Sequence, residues 1–107
     1  MEITQYEIYW VNLDPTIGRE MKKTRPCVIL SPDDMSRFIG TVIIAPVTST
    51  IRAYPSRVKF VLNGKTNMIA LDQIKTIDKV RLQDKIGKLN TVTIAIVKKV
   101  IEEMLVL

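Results

Sequence analysis

The sequence predicts a mainly β fold, a small barrel-like sheet closed by a C-terminal helix. Three observations support this prediction. Short apolar runs alternate with turn-forming residues, an Asn63-Gly64 pair joins two of these runs, and apolar residues adopt helical spacing only near the C-terminus. A chain of 107 residues fits a single domain, which we expect to span residues 1–107.

The first half of the chain predicts three strands. Residues 7–13 are aromatic and β-branched, residues 25–31 form a continuous apolar run, and residues 41–47 are again β-branched. Pro46 predicts a sheet edge or a bulge near the end of the third strand. Between the second and third strands, Ser31 or Asp33 is the expected cap of one helical turn over residues 35–38.

The second half begins with a hairpin. Residues 57–62 alternate, so that Val58, Phe60 and Leu62 face one way, and Asn63-Gly64 predicts a type I′ turn into residues 66–71. Residues 72–77 extend or follow that strand, and residues 78–82 form a charged connection. A helix is predicted from about residue 93, capped by Thr91 or Thr93. Its apolar stripe comprises Ile94, Val97, Ile101, Met104 and Leu105, and its polar face comprises Lys98, Lys99, Glu102 and Glu103.

Composition excludes several classes of active site. The chain contains 16 Lys+Arg against 11 Asp+Glu, for a net charge of +5, with one Cys and no His. The absent histidine removes Ser-His and Cys-His nucleophiles, His-His ribonuclease sites and most zinc sites. The acidic pairs lack the spacing of a known metal loop, so no metal site and no cofactor are predicted. Cys27 lies in an apolar run and is expected to be an inert buried side chain in a cytoplasmic protein with no membrane segment.

Two segments are candidates for chemistry. Arg19, Lys22, Lys23 and Arg25 crowd into seven residues and could neutralise phosphates, although a solvated loop on a basic protein would look the same. Three hydroxyl residues at positions 48–50 directly follow a buried strand, where ordinary turn formation is the simpler interpretation. Most aromatic side chains are expected in the core, with Tyr54 as the one exposed residue suited to stacking on a base.

Spaced motifs over nearly the whole chain resemble the PemK/MazF family of toxin endoribonucleases. They are Trp10-Val11-Asn12-Leu13-Asp14-Pro15-Thr16, Gly18-Arg19-Glu20, Thr24-Arg25-Pro26, Val28-Ile29-Leu30-Ser31-Pro32, Ala45-Pro46-Val47-Thr48-Ser49 and Asp72-Gln73-Ile74-Lys75-Thr76-Ile77. The resemblance implies an SH3-like β-barrel (the CcdB/PemK-like toxin fold) that forms a homodimer. It also implies metal-independent cleavage of single-stranded RNA (mRNA) at short motifs, leaving a 2′,3′-cyclic phosphate and a 5′-hydroxyl, and neutralisation by a small acidic antitoxin.

The resemblance also assigns residues to roles. The catalytic arginine and threonine of the family correspond to Arg25 and Thr48, and the acidic residue of the first loop corresponds to Glu20. Arg25 would stabilise the charged phosphorane and Thr48 would donate a hydrogen bond to the phosphate. We expect substrate contacts from Arg19, Lys22, Lys23, Thr24, Ser49, Tyr54, Asp72 and Gln73.

The general base and the rival functions stay open. Both Glu20 and Asp72 match carboxylates of the family pattern, but the arginine and the histidine that some relatives pair with the aspartate are replaced here by Ala70 and Arg19. The Arg25/Thr48 scheme is therefore favoured. Two alternatives from other classes are a non-cleaving poison of the same fold that binds a protein such as DNA gyrase, and a barrel that binds RNA without cutting it.

Overall fold

Seven strands form one curled, half-barrel sheet in a computed structural model that describes residues 2–107. The strands are β1 (Glu7–Asn12), β2 (Thr24–Ile29), β3 (Thr41–Thr48), β4 (Arg57–Leu62), β5 (Lys65–Ala70), β6 (Lys75–Asp78) and β7 (Leu82–Lys88). They follow the order β4-β5-β3-β2-β1-β7, and β6 also pairs with β3. Helices α1 (Asp33–Phe38) and α2 (Thr91–Ile101) complete the fold, and a π-helical turn over Glu102–Val106 follows α2. The predicted mainly β fold with a C-terminal helix is confirmed.

The sheet buries apolar side chains on both faces. One face, which we call the loop face, carries a core that includes Tyr9, Val11, Cys27 and Ile44, against which Met21 of the β1–β2 loop packs. The opposite face, the helix face, is covered by α2. It buries Ile8, Val28, Ala45, Val47, Val58, Phe60, Ile69, Leu71, Leu89 and Val97. Because side chains alternate along a strand, residues two apart in β2 or β3 share a face.

The β4–β5 hairpin forms as the sequence predicts. Asn63 and Gly64 have φ angles of 50° and 79°, the two positive values that a type I′ turn requires. Leu62 therefore pairs with Lys65, and the register continues to Arg57 opposite Ala70.

Pro46 does not mark a sheet edge, because β3 is a central strand. The pairing of β3 with β6 ends at Ile44 opposite Lys75, and its pairing with β5 begins at Val47 opposite Ile69. Pro46, which has no N–H to donate, lies in the interval between these two partners and pairs only with Cys27 of β2. The expected edge position is wrong, and the change of partner explains how a proline is accommodated here.

Both predicted helix caps are wrong. The N-cap of α1 is Pro32 without a side-chain hydrogen bond. The Ser31 hydroxyl instead accepts from the N–H of Ile43, and Asp33 accepts from the N–H of Gln5. The N-cap of α2 is Asn90, whose Oδ1 accepts from the N–H of Thr93 at 2.8 Å. The helix therefore begins at Thr91, two residues before the predicted start.

Other expectations about exposure also differ from the structure. Met104 and Leu105 of the predicted apolar stripe are 38 % and 67 % exposed, because the chain beyond α2 extends past the sheet. Trp10 and Phe38 are exposed rather than in the core. Strand β7 has no counterpart in the sequence prediction, since its edge position leaves most of its side chains polar. None of the helices in residues 2–107 has the length and apolarity needed to cross a membrane.

Candidate functional site

Strands β2 and β3 bring the two predicted catalytic residues to one place. Cys27 pairs with Pro46, and the same antiparallel register continued by two residues sets Arg25 opposite Thr48. Since each lies two residues from a member of that pair, Arg25 and Thr48 both lie on the loop face. These two side chains are 23 residues apart in sequence, and the sheet makes them neighbours.

The Thr48 hydroxyl is oriented by its own loop. Thr48 is 5 % exposed, and its Oγ1 accepts a hydrogen bond from the N–H of Thr50 at 3.1 Å. An oxygen that accepts in this way keeps its hydrogen available, so Thr48 can donate to a ligand that enters from the solvent side. Ser49, the predicted neighbour, is exposed beside it.

Arg25 is partly buried and is held through one nitrogen. Its Nε donates to the carbonyl of Lys22 at 2.9 Å, an arrangement that fixes the plane of the guanidinium. In the described part of the chain the two terminal nitrogens have no hydrogen-bond acceptor, so they remain free to bind two oxygens of a phosphate.

A second cation flanks Thr48 on the other side. Met68 pairs with Thr48 across β3 and β5, and Lys59 pairs with Met68 across β4 and β5. Lys59 is exposed on the loop face, the face that carries Arg25 and Thr48. Positive charge thus lies on both sides of the hydroxyl, and sequence reasoning did not include Lys59 among the site residues.

The β1–β2 loop carries the other basic residues predicted for the site, and hydrogen bonds hold both of its ends in place. Asp14 accepts from the N–H of Lys23 at 3.0 Å, and Arg81 donates to the carbonyls of Asn12 and Asp14. Arg19, Lys22 and Lys23 are exposed on it, and Thr24, the first residue of β2, is exposed beside them. The loop therefore presents a row of cations along the edge of the site.

Glu20 and Gln73 line a cleft between this loop and the sheet. The cleft has a volume of about 220 Å³ and also contacts Pro46, two residues from Thr48 on the same face. Glu20 Oε2 accepts from the N–H of Ile17 at 2.7 Å, and Gln73 Oε1 accepts from the N–H of Met21 at 3.3 Å. The remaining lining residues are Leu13, Met21, Ile74 and Lys75. Glu20 thus lines a cleft that also contacts Pro46, the residue two before Thr48 on the loop face.

Asp72 forms an ion pair with Arg57, a contact that the sequence did not predict. Arg57 Nε donates to Asp72 Oδ1 at 2.6 Å and Nη2 donates to Oδ2 at 3.1 Å, while the Ser56 hydroxyl donates to Oδ1 at 3.0 Å. These hydrogen bonds from Arg57, opposed by partial burial, lower the pKa of Asp72 below its ordinary value. Ala70 lies two residues before Asp72, at the position where some relatives have an arginine. It is directly opposite Arg57 in the hairpin.

One signal in the sequence could have predicted that Arg57 lies near Asp72. The Asn63-Gly64 turn sets the register of the hairpin, and that register alone puts Arg57 opposite Ala70, two residues from Asp72. Tyr54 was predicted to be exposed, and it is 52 % exposed beside Arg57.

Cys27 is an inert core residue, as predicted. It is fully buried, and burial raises the pKa of its thiol to about 12. Groups of three or more side chains of the types that bind metal are absent from residues 2–107.

Comparisons with known proteins agree on one family. Residues 4–105 match the family described as the PemK-like, MazF-like toxin of type II toxin-antitoxin systems. Endoribonuclease EndoA of Bacillus subtilis (strain 168) is 32 % identical over 96 residues, which cover 84 % of this chain and 83 % of that protein.

Solved structures show the same fold. MazF from Deinococcus radiodurans superposes with a TM-score of 0.88 at 23 % identity, covering 100 % of this chain and 99 % of that one. A mycobacterial endoribonuclease solved in complex with its cognate antitoxin superposes with a TM-score of 0.82 at 21 % identity, covering 96 % and 94 %. This chain belongs to the PemK-like, MazF-like family of toxins of type II toxin-antitoxin systems.

Proposed function

We propose that this toxin is a metal-independent, sequence-selective endoribonuclease. It cleaves single-stranded RNA (mRNA) by attack of a 2′-hydroxyl on the neighbouring phosphate, which leaves a 2′,3′-cyclic phosphate and a 5′-hydroxyl. The observation that carries the proposal is the register of β2 and β3, which brings Arg25 opposite Thr48 on one face of the sheet. The 32 % identity of this chain to the endoribonuclease EndoA supports the same conclusion.

The mechanism needs little covalent chemistry from the protein, because the attacking nucleophile belongs to the RNA. As the 2′-oxygen bonds to phosphorus, negative charge accumulates on the non-bridging oxygens. The free terminal nitrogens of Arg25 bind two of those oxygens, and the Thr48 hydroxyl donates to the phosphate. Lys59 and the basic β1–β2 loop attract the phosphates on either side.

Glu20 is the carboxylate that we propose to accept the proton of the attacking 2′-hydroxyl, and the 5′-oxygen takes a proton from water as its bond to phosphorus breaks. It lines the cleft that also contacts Pro46, two residues before Thr48, and one of its oxygens is engaged by the N–H of Ile17 while the other is free to accept. Asp72 is less suited to that task, because Arg57 and Ser56 already donate to its oxygens.

We further propose that an acidic antitoxin in the cytoplasm competes with RNA for this surface. Both ligands are anionic, and both would use the exposed cations of residues 19–25 and 49–57, which are Arg19, Lys22, Lys23 and Arg52. In the related mycobacterial structure an endoribonuclease is bound to its cognate antitoxin.

The toxin is proposed to act as a homodimer. The exposed apolar residues at the end of the chain support this, since Leu105, Val106 and Leu107 are 67 %, 75 % and 82 % exposed. Analytical ultracentrifugation at micromolar concentration is expected to give twice the monomer mass of 12.2 kDa.

Incubation with a long single-stranded RNA in EDTA tests the nuclease. The unaltered protein is expected to give discrete fragments that end in a cyclic phosphate. Arg25→Ala and Thr48→Ala are each expected to slow cleavage by about a hundred- to thousandfold, because each removes a donor to the transition state. Circular dichroism of both variants should match that of the unaltered protein.

Matched controls are Arg37→Ala and Thr76→Ala, which alter exposed residues outside the site and should leave the rate unchanged. Failure of the unaltered protein to cut any RNA would refute the proposal. RNA binding without cleavage would favour the non-catalytic barrel, and binding to gyrase alone would favour the poison.

A further inference from the structure

Four side chains form a closed cluster at the start of β4. Arg57 binds both oxygens of Asp72, and Ser56 donates to one of them. The Arg57 guanidinium also lies over the ring of Tyr54, with its central carbon 5.2 Å from the ring centroid. We call Tyr54, Ser56, Arg57 and Asp72 the arginine clamp.

Two backbone hydrogen bonds also hold the arginine clamp together. The N–H of Arg57 donates to the carbonyl of Tyr54 at 3.0 Å, which closes a tight turn that contains Pro55. The N–H of Leu71 donates to the carbonyl of Ser56 at 3.0 Å and joins this turn to the segment that carries Asp72. Tyr54 is therefore fixed in place although it lies in a loop.

Arg57 itself is not available to a ligand. Its side chain is 8 % exposed, and its Nε and one terminal nitrogen are committed to Asp72. Asp72 accepts hydrogen bonds from Arg57 and Ser56, so the ion pair is closed on itself, although the Asp72 side chain is 31 % exposed. The open surface of the clamp belongs to Tyr54, which covers Arg57 on one side and is 52 % exposed.

The clamp lies close to the Arg25–Thr48 pair. Arg57 is two residues from Lys59 in β4, and Lys59 lies two strands from Thr48 through Met68. Adjacent strands are separated by about 4.8 Å, so Lys59 and Thr48 are about 10 Å apart along the sheet. Arg57 lies two residues, about 7 Å, further along β4 on the same face, so the Tyr54 ring against it is placed to meet a nucleotide near the one that is cut.

We propose that Arg57 is a positioning residue that holds Tyr54 as a stacking platform for a nucleobase adjacent to the cleaved phosphate, with Asp72 as its anchor. This inference rests on the proposed nuclease function and deepens it, because it assigns one part of RNA recognition to a structural ion pair. Every base has a flat π face, and a rigid ring loses little freedom when a base stacks on it. Asp72 thereby serves the site through Arg57 rather than by contact with RNA.

Stacking that persists from bound substrate to transition state changes KM more than kcat. Tyr54→Leu removes the aromatic face and is expected to raise KM about tenfold with kcat within about twofold. Tyr54→Phe keeps the face and should retain the KM of the unaltered protein. Arg57→Lys keeps the charge but loses the planar fork that grips Asp72, so it should raise KM to a similar extent.

The experiment measures both constants with an oligonucleotide that contains a cleavage site mapped on a long RNA of mixed sequence. The double variant Arg57→Lys/Tyr54→Leu is the decisive one, because two residues acting through one ring give non-additive effects. Its KM should equal that of Tyr54→Leu alone. Arg37→Lys, an arginine outside the site, should have no effect.

Three outcomes would overturn the inference. They are an unchanged KM in Tyr54→Leu, a double variant whose KM rises by the product of the two single effects, and an Arg57→Lys variant that loses kcat at constant KM. Should Arg57→Lys fail to fold, Asp72→Asn, which weakens the same ion pair, takes its place in the comparison and in the double variant. An unaltered protein that cuts no RNA refutes the nuclease itself, whereas normal cleavage with an indifferent Tyr54 refutes only the clamp.

Discussion

The sequence contains no histidine, so the site has no imidazole that could gain or lose a proton near neutral pH. The groups at the proposed site are an arginine, a threonine and a glutamate. The arginine stays protonated and the threonine stays neutral throughout the ordinary pH range, so Arg25 and Thr48 act as fixed donors. The remaining carboxylate near them, Asp72, is held ionised by Arg57.

The cleavage rate is therefore expected to rise with pH into the alkaline range, without a limb near pH 6.5. The reason is that the ionised fraction of the RNA 2′-hydroxyl grows as the solution becomes more basic, which adds to proton transfer through Glu20, while the donors Arg25 and Thr48 do not change charge. Single-turnover rates measured from about pH 5 to about pH 10 at constant ionic strength check this. A bell-shaped profile centred near neutrality would contradict it.

At the scale of single elements, the register between paired strands decides which side chains of the site meet. The pairing of β2 with β3 spans an intervening helix, and it sets which side chains of the two strands meet. The β4–β5 pairing is local, and a two-residue turn determines it. The first register assembles Arg25 with Thr48, and the second assembles Arg57 with Asp72.

The cap of α2 gives a test at this scale. Asn90→Ala removes the acceptor for the N–H of Thr93 and is expected to lower the free energy of unfolding by about 1 kcal/mol. Chemical denaturation measures the change. Thr91→Ala, at the exposed residue that sequence pattern alone would name as a cap, is the matched control and should be nearly neutral. A larger loss at Thr91 than at Asn90 would show that the assigned cap is wrong.

At the scale of the whole molecule, the two edges of the sheet are secured differently. The β4 edge is supported by α2, and the β7 edge is joined to β1 through a buried carboxylate. Glu7 is 5 % exposed and pairs with Lys85 of β7, while the N–H of Thr4 and the hydroxyl of Tyr9 also donate to it. Burial raises the pKa of Glu7, but these partners together outweigh burial and leave it below its ordinary value.

Acid is therefore expected to weaken the whole fold through Glu7. A carboxyl with a lowered pKa stabilises the folded state fully above its unfolded pKa of about 4.3, and this contribution is lost as the pH falls through the lower folded value. Glu7→Gln should cost about 1–3 kcal/mol at neutral pH and show a shallower loss of stability below about pH 4. Thermal melting as a function of pH measures both effects. Identical acid dependence in the two proteins would exclude Glu7 as a cause.

Local patterns in the sequence predicted much of the fold. The first five strands follow from β-branched and aromatic runs, and the hairpin follows from Asn63-Gly64, because both signals arise within a few residues of chain. Edge strand β7 escaped prediction because Leu82 and Ile86 are its only large apolar residues, too few to show an alternation. The α2 cap was misplaced because Asn90, Thr91 and Thr93 can all cap a helix, and only the backbone geometry distinguishes them.

The sequence by itself determined the family motifs, the absence of histidine and the identities of Arg25, Thr48 and Glu20 as candidates. Tertiary structure decided which of these side chains meet. Arg25 faces Thr48 through a non-local register, Pro46 fits a central strand at a change of partner, and Asp72 is bound by Arg57. The chemistry of each side chain follows directly from the sequence. The distance between two side chains such as Arg25 and Thr48 depends instead on hydrogen bonds between strands that are remote in sequence.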